Sequence, residues 1–406
     1  MHRRLLAGGT LGMLAVLLAL FMAAGVAEEE RTDASGQWKY VLEEACATIT
    51  GYVEEPGGDL VIPGEVDGFA VTAVGEDALL GCVDLTGVTF PDGFVSIGEG
   101  AFYDCESLVS VIFPDGLHSI GDYAFMNCGR LVAVAFPDSL AFIGDRAFAN
   151  CESLPGAAIP KSVVTLGANP FYGGGAMKRI DVAADNPEYV SVDGVLFDKE
   201  QKTLVAYPAG KPGKAYAIPQ GVLHIGENAF TGCSGLTAVT FPDSLLSIGE
   251  SAFASCGLIS VALPKGMTSI SDWTFSDCRG LTGVTFPGGL VSIGEAAFFW
   301  CASLTEVSFP DGLVSIGKIG SREPFEFGAF QSSGLTRVFL PDGLQFIGNR
   351  TFKNCANLSG AFIPDSVTDI GEDAFVGCGA LAIFAAEGCF AEQYAKENGI
   401  PYVILD

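Results

Sequence analysis

The cysteines are the residues of this chain whose number and spacing most suggest chemistry. Of the 12 cysteines, ten recur at one position of a sequence repeat: Cys82, Cys105, Cys128, Cys151, Cys233, Cys256, Cys278, Cys301, Cys355 and Cys378. Such a series has three interpretations, namely disulfides between neighbouring repeats, zinc sites and buried free thiols. The same position holds Gly174 and Ser333 in two other repeats, so it requires a small side chain rather than sulfur.

Spacing favours free thiols over the two alternatives. Neighbouring coils of a stacked repeat hold their Cβ atoms about 4.8 Å apart, which is wider than the ~3.5–4.5 Å of a relaxed disulfide. The series runs in even groups of four, four and two, which keeps the disulfide alternative open. Zinc is disfavoured because the chain has no Cys-x-x-Cys pair. Cys46 and Cys389 lie outside the series, near opposite ends of the chain.

Histidine, the usual general base, is almost absent from the chain. Of the three histidines, His2 belongs to a predicted leader, and His118 and His224 occupy variable positions of distant repeats, where we expect surface residues. No nucleophile elbow, phosphate-binding loop or His-x-x-x-His metal motif occurs. The sequence therefore predicts neither an enzymatic site nor a cofactor.

Carboxylates form two further series. One follows a repeated proline: Asp92, Asp115, Asp138, Asp243, Asp311, Asp342 and Asp365. The other follows an Ile-Gly step: Glu99, Asp122, Asp145, Glu227, Glu250, Glu295 and Glu372. Asp stabilises turns through bonds to its own backbone, whereas Ca²⁺ requires about six to eight oxygen ligands. One carboxylate per coil supplies too few ligands, so we favour the turn interpretation over calcium and predict no metal site.

All of these series derive from a repeat whose period is mostly 23 residues. Its prolines are Pro63, Pro91, Pro114, Pro137, Pro160, Pro219, Pro242, Pro264, Pro287, Pro310, Pro341 and Pro364. A period of this size is typical of a solenoid. The large apolar side chains of one coil contribute roughly 7–15 kcal/mol when buried, whereas ordering one coil costs on the order of 35 kcal/mol. A coil is therefore stable only when stacked, and the prolines predict about 12 coils.

Within one coil the pattern predicts short strands joined by turns. Leu108, Val111 and Phe113 alternate as in a strand, Pro114 begins a turn, and a second short strand follows. The glycine-bounded segment 121–125 is too short for more than one helical turn. We therefore expect a solenoid that is mostly β, with short helical turns.

The repeated frame, C-x-S-L-x-x-V-x-F-P-D-x-L-x-x-I-G-x-x-A-F, resembles the leucine-rich repeats of BspA-like surface proteins. The likeness covers residues 38–406. It implies a leucine-rich repeat solenoid that is secreted or attached to a cell surface. Several proteins of that family are regarded as adhesins for host proteins or other cells, so the resemblance also implies a binding role.

Composition and the breaks in the repeat divide the chain into segments. We predict an N-terminal cap at 28–62, repeats at 63–177, a hairpin insert at 178–218, repeats at 219–386 and a C-terminal cap at 387–406. A solenoid needs caps because its terminal coils would otherwise expose apolar surface. The N-terminal cap is predicted to be a hairpin, and the C-terminal cap a short helix followed by a strand.

The N-terminus and the net charge limit location and partners. Residues 1–27 combine a basic start, an apolar run and a small-residue cleavage site, as in a signal peptide. A retained membrane span is the alternative, but we expect cleavage, a secreted or cell-surface protein, and no span afterwards. With 48 acidic and 21 basic residues, the net charge is −27. This acidity argues against nucleic acid, because phosphate binding needs clustered cations.

One group of candidate contact residues interrupts the repeat pattern with aromatic and basic side chains: Trp273, Phe299, Trp300, Lys318 and Arg322. The aromatic residues replace side chains that are polar or small in other coils, and the basic residues belong to a loop insertion at 318–325. Inserted loops on rigid scaffolds often carry binding function. The alternative is a small satellite core beneath the loop.

A second group, Arg337, Phe339 and Phe362, lies on strand positions that point away from the core if the alternation holds. Arg and aromatic residues are enriched at the centres of interfaces. The alternative is that the two Phe rings pack under a loop or the C-terminal cap.

These observations predict a non-enzymatic, exported binding protein that contacts an extracellular protein or glycan through its solenoid surface. The alternative is a structural envelope or matrix protein that self-associates.

Overall fold

Each repeat folds into one coil that contains two short strands and an outer turn. The structure, a computed structural model, describes residues 29–318 and 327–405. The coils stack into a β-solenoid of about 15 turns. Three sides of this solenoid matter below: a front face built from the strands that precede the prolines, a back face built from the Ile-Gly strands, and a turn edge built from the outer turns.

The front face consists of parallel strands that pair from coil to coil. In register, Gly87 lies beside Ser110 and Val88 beside Val111, so equivalent residues of neighbouring coils are directly adjacent. Bridges at Ser110–Ala133 and Thr285–Ser308 continue the face. Its strands are β4 (Gly58–Val61), β7 (Leu85–Thr89), β9 (Ser110–Ile112), β12 (Gly156–Ile159), β14 (Arg179–Val182), β18 (Ala215–Ala217), β20 (Ala238–Thr240), β22 (Ser260–Ala262), β24 (Gly283–Thr285), β27 (Arg337–Phe339), β29 (Gly360–Phe362), β31 (Ala382–Ala386) and β32 (Tyr402–Leu405).

The back face is formed by strands of mostly two residues. Ile97, Ile120 and Ile143 are in register and buried, while the residue before each Ile is only partly buried. Its strands are β6 (Phe69–Val74), β8 (Ser96–Ile97), β10 (Ser119–Ile120), β11 (Phe142–Ile143), β13 (Thr165–Leu166), β17 (Thr203–Ala206), β19 (His224–Ile225), β21 (Ser247–Ile248), β23 (Ser269–Ile270), β25 (Ser292–Ile293), β26 (Ser315–Ile316), β28 (Phe346–Ile347) and β30 (Asp369–Ile370).

The core is a column of stacked phenylalanine rings. Phe102, Phe125 and Phe148 are fully buried, and their ring centroids are 5.0 and 5.2 Å apart with nearly parallel planes. A longer column follows the insert: Phe230, Phe253, Phe275, Phe298, Phe330, Phe352 and Phe375. Stacking of identical rings lets each coil bury its apolar side chains against the next coil.

The predicted leucine-rich repeat solenoid is confirmed, but about 12 coils was an underestimate. Twelve front-face positions are followed by the repeated proline, and three more strands have no such proline: β14, β31 and β32. These strands pair in the same parallel ladder as the others. A count based on proline therefore missed coils whose turn is built differently.

Both caps have the predicted form. At the N-terminus, β1 (Arg31–Thr32), β2 (Trp38–Glu43) and β3 (Cys46–Tyr52) pair antiparallel, and β5 (Glu65–Val66) pairs with β6. Trp38 and Tyr40 bury their rings against the first coils. At the C-terminus, the helix α1 (Phe390–Glu397) precedes β32.

The insert joins two halves of the core. Its strands β15 (Tyr189–Val192) and β16 (Val195–Asp198) pair antiparallel, and β16 also pairs with β17. Leu196 packs into the core of the N-terminal half, whereas Val195 and Phe197 pack into that of the C-terminal half. The apolar interior is thus two clusters that meet at this hairpin.

The repeated cysteines are free thiols, and nine of the ten donate through sulfur to a carbonyl of the preceding coil. All 12 cysteines lie within the described residues, and none is in a disulfide. The Sγ of Cys128 donates to the carbonyl oxygen of Phe102 at 3.3 Å, and that of Cys256 to Phe230 at 3.0 Å. Ser333 occupies this position in another coil, and its Oγ lies 3.3 Å from Cys355 Sγ. The position therefore accommodates a small side chain that can hydrogen-bond to a neighbouring coil, as both Cys and Ser do.

Two predicted features fall outside the described residues, namely the signal peptide at 1–27 and most of the loop insertion, including Arg322. Within residues 29–318 and 327–405, no helix has both the length and the apolar character needed to cross a membrane.

Replacing Phe125 with Ala tests the stacked column. Loss of a fully buried ring that stacks on both neighbours should lower the free energy of unfolding by about 3–5 kcal/mol, measured by urea denaturation. Phe339→Ala is the matched control, because this ring is 58% exposed and its loss should cost only about 0.5 kcal/mol. If the two substitutions lowered the free energy of unfolding equally, the stacked column would not be the source of stability.

The buried thiols should make the protein sensitive to alkali. Burial raises the pKa of the Cys151 thiol to about 12 from an ordinary value of 9.0. The folded state therefore holds the thiol protonated, and this contribution to stability is complete below pH 9 and lost as the pH rises from about 9 towards 12. We expect the urea midpoint to fall in that range. The fall should be smaller for Cys151→Ser, and a midpoint independent of pH would contradict the prediction.

Candidate functional site

The turn edge is built from outer turns that hydrogen-bond to one another. The backbone N–H of Tyr123 donates to the carbonyl of Asp145 at 2.8 Å, and that of Phe125 to Ala147 at 2.7 Å. The outer turns characteristically contain two residues with positive φ. The first stands two residues before the core Phe, or before Leu79 in the first of these coils, as in Asp77, Gly100, Tyr123, Arg146, Asn169, Asn228, Ser251, Trp273, Ala296, Arg350 and Asp373. The second stands just before the small-residue position, as in Gly81, Asp104, Asn127, Asn150, Gly173, Gly232, Ser255, Asp277, Trp300, Ser332, Asn354 and Gly377.

These left-handed positions favour Gly, Asn and Asp, because other side chains clash there with the backbone. The left-handed conformation costs an ordinary residue roughly 1–2 kcal/mol. Gly, Asn or Asp fills 14 of the 23 positions named above, whereas Tyr123, Trp273 and Trp300 place large aromatic side chains at φ 56°, 60° and 57°. Strain of this kind at a surface points to a functional role for the residue that bears it.

The two tryptophans belong to one aromatic cluster. Trp273 lies edge-on to Phe299 with ring centroids 5.8 Å apart, and Phe299 stacks on Trp300 at 5.3 Å. Phe327 packs against both Trp273 and Phe299 at 5.0 Å. Trp273, Phe299 and Phe327 are half-buried, and Trp300 is 47% exposed. The cluster thus has a packed base and an exposed tip.

Charged side chains surround this cluster. The Arg279 guanidinium lies 5.0 Å from the centre of the Trp300 ring and forms an ion pair with Asp277 at 2.6 Å. Lys318 bonds to Asp272, which raises the pKa of the lysine. The ammonium group is also 3.9 Å from Glu295. Lys318 is therefore neutralised by neighbouring acids rather than available as an isolated cation.

The second predicted group lies on the front face. Phe339 and Phe362 stack with centroids 4.4 Å apart, and Arg337 is exposed on the same strand as Phe339. Phe384, which the sequence reasoning missed, extends the stack at 4.3 Å from Phe362. Phe339 is largely exposed at the end of this stack. The structure thus brings Phe339 and Phe362 together, on a different side of the coil from the tryptophans.

A third group, also missed, lies on the turn edge of the N-terminal half. The Arg146 guanidinium lies 5.8 Å from the centre of the Tyr123 ring and 5.9 Å from that of Tyr172. Burial raises the pKa of Tyr172, and the nearby Arg146 charge opposes this effect. Tyr123 and Arg146 have positive φ as Trp273 does, but Tyr and Arg are ordinary surface residues, so residue type alone does not mark them.

Some carboxylates of the turn edge accept backbone N–H groups of the next coil. Asp122 accepts the backbone N–H of Asp145 at 2.7 Å, and Asp272 accepts that of Glu295 at 2.8 Å. Partial burial and repulsion by Glu227 and other acids raise the pKa of Glu250. Across the described ranges, no group of three or more His, Cys, Asp or Glu side chains is arranged to hold a metal ion.

His224 and Ser247, a possible base and a possible nucleophile, lie within hydrogen-bond distance of each other, which the sequence did not indicate. His224 Nδ1 lies 2.8 Å from Ser247 Oγ, because the two residues are equivalent positions of neighbouring coils on the back face. A reactive serine also requires an orienting group for the base and donors for the developing oxyanion. The hydrogen bond itself links two adjacent coils. The other histidine, His118, bonds to the carbonyl of Gly116.

Known proteins with this architecture are leucine-rich repeat proteins. A leucine-rich repeat protein from Eubacterium ventriosum is 24% identical, with a TM-score of 0.53 over 78% of this chain and 99% of that one. The pneumococcal vaccine antigen PcpA is 20% identical, with a TM-score of 0.56 over 94% of this chain and 100% of that one. No curated protein matches the chain.

The repeat itself matches a family model, which confirms the resemblance seen in the sequence. The model describes a BspA type leucine-rich repeat region and matches six copies at residues 72–191, 212–320 and 323–392. These ranges cover most of the coils described above. The chain therefore belongs to the BspA type leucine-rich repeat family.

Proposed function

We propose that this chain is a non-enzymatic binding protein of the cell exterior, which holds its partner at the turn edge through Trp273, Phe299 and Trp300. The observation that carries the proposal is the placement of Trp300. Its ring is 47% exposed, and its backbone is left-handed where other coils use Gly, Asn, Asp or Ser. Exposed aromatic residues on a rigid scaffold are typical of interface centres.

The chemistry of the core supports binding rather than catalysis. The repeated thiols are potential nucleophiles, but burial raises the pKa of residues such as Cys151 and Cys301 well above the ordinary value. A protonated, inaccessible thiol is not a nucleophile. The cysteines therefore stabilise the stack instead of reacting with a substrate.

Location and charge support an extracellular protein or glycan as the partner. The leader expected at residues 1–27 and the membership of the family support export. The net charge of −27 disfavours nucleic acid and other polyanions. A partner that is neutral or basic is compatible with this surface.

Trp300→Asn separates binding from folding. Asn occupies the same position in other coils, so the relieved backbone cost of roughly 1–2 kcal/mol offsets the lost ring stacking of ~0.5–1.5 kcal/mol. We expect an unchanged or slightly higher Tm. Affinity for a ligand found on arrays of purified glycans and extracellular proteins should fall by about 30-fold, as for a hot-spot residue.

Phe339→Asn is the matched control for that experiment, because it removes an exposed aromatic ring from the front face. It should leave the affinity unchanged. If Phe339→Asn weakened binding while Trp300→Asn did not, the contact surface would be the front face and the proposed site would be wrong.

A structural protein that self-associates is the second candidate function, and β32 favours it. All four residues of this strand are exposed, with Val403 at 45% and Leu405 at 43%. Within the described residues, β32 pairs only with β31. An apolar edge strand of this kind can pair with another chain.

Val403→Lys tests this alternative. A charge on an edge strand opposes strand addition, so self-association should weaken while the Tm stays the same. Sedimentation velocity over a range of protein concentrations measures the effect. If the unmodified protein stays monomeric throughout, the structural alternative is wrong.

A further inference from the structure

The turn edge carries two aromatic clusters rather than one. The tyrosine cluster consists of Tyr123 and Tyr172 around Arg146, together with Tyr103 in the outer turn that precedes and hydrogen-bonds to that of Tyr123. The tryptophan cluster consists of Trp273, Phe299, Trp300 and Phe327. All of the tyrosine cluster is half-buried and so still presents surface to solvent.

The edge between the two clusters is continuous, although the hairpin insert lies between them in the sequence. The side-chain amide of Asn169 donates to the backbone carbonyl of Asn228 at 2.8 Å, so the outer turns on either side of the insert touch. Arg146 also reaches across to Glu227 at 3.6 Å. At about 4.8 Å per coil, the edge from Tyr103 to Trp300 is roughly 34 Å long.

Backbone strain marks both clusters independently of their exposure. Tyr123 and Arg146 in one cluster, and Trp273 and Trp300 in the other, occupy left-handed positions. Each costs stability that Gly, Asn or Asp would not. The turns between the clusters have only small residues at these positions, namely Asn169, Gly173, Asn228, Gly232, Ser251 and Ser255. Large side chains thus occupy left-handed positions at both ends of this stretch of the turn edge, which we call the track, and not in its middle.

The middle of the track is polar, which indicates the class of ligand. Thr231 and Ser255 lie on its surface together with the carboxylates of Glu227 and Glu250. Interfaces between folded proteins have the opposite arrangement, an apolar centre and a polar rim. The acids also repel an anionic polymer. Flat apolar faces that alternate with hydroxyl groups are the chemistry of a neutral sugar chain.

We propose that the turn edge binds a linear neutral polysaccharide that runs along the solenoid axis, with pyranose rings stacked on both aromatic clusters and hydroxyl groups bonded to the polar turns between them. This proposal rests on the proposed function, since it uses the same tryptophan cluster and names its ligand class. Arg146 and Arg279, each held beside an aromatic ring, border the two stacking sites.

The test compares ligands of different length. Linear oligosaccharides of glucose and of mannose, from a trisaccharide to a long polymer, are titrated against the unmodified protein, Tyr123→Asn and Trp300→Asn by calorimetry. A long ligand that spans both clusters should bind at least about tenfold more tightly than the trisaccharide. Either substitution should reduce the ratio of the two affinities, long ligand over trisaccharide, about three- to tenfold. Tyr402→Ala, an exposed tyrosine on β32, should leave it unchanged.

The outcomes separate this inference from the proposed function. If Tyr123→Asn leaves the difference in affinity between the long ligand and the trisaccharide unchanged, or if only anionic polysaccharides bind, the proposed polysaccharide-binding track is wrong. If no neutral sugar chain binds but Trp300→Asn abolishes binding of a protein ligand, polysaccharide is the wrong ligand class and the proposed binding function stands. If a ligand binds and Trp300→Asn has no effect on it, the proposed contact site itself fails. A Tm at or above that of the unmodified protein ensures that each variant is folded.

Discussion

Contact between equivalent side chains of neighbouring coils is the constraint on which the rest of this structure depends. A single coil cannot offset the entropy of its own ordering, so Phe102, Phe125 and Phe148 persist as buried rings only because each stacks on the next. Nine of the ten repeated cysteines obey the same constraint, since their sulfur donates to a carbonyl of the preceding coil. Register between coils is therefore held both by the apolar column and by directional bonds beside it.

The same constraint makes departures from the repeat informative. Where every coil must stack on its neighbours, an inward-facing residue has little freedom, and the sequence repeats. The outer turn has more freedom in side-chain size but less in backbone, because its left-handed positions favour Gly, Asn and Asp. A Trp or Tyr at such a position gains nothing in backbone energy. Its presence at Trp300 or Tyr123 therefore has to be explained by the contacts of its side chain.

Much of the fold could be predicted from the sequence because the interactions that define it recur. The stacked Phe column, the parallel strands, the small-residue position and both caps follow from the repeat. The coils at β14, β31 and β32 were missed because their turns lack the proline on which the count relied. The bond between His224 and Ser247 was missed because the two residues are far apart in sequence, although they are equivalent positions of adjacent coils.

The candidate site was less predictable, since it depends on backbone conformation as well as residue type. Trp273, Phe299 and Trp300 stand out as large residues among small ones. Tyr123 and Arg146 do not, because Tyr and Arg are ordinary surface residues until the positive φ is known.

A solenoid is well suited to carry such strained residues, because each coil contacts only its neighbours and the cost stays local. The coils of Trp273 and Trp300 contain Phe275 and Phe298, which lie inside the longest column of stacked rings. Neighbours on both sides therefore stabilise these two coils, and the strain does not fall on a terminal coil. The position of the tryptophans within the column thus allows an unfavourable backbone to be retained where an exposed aromatic surface is needed.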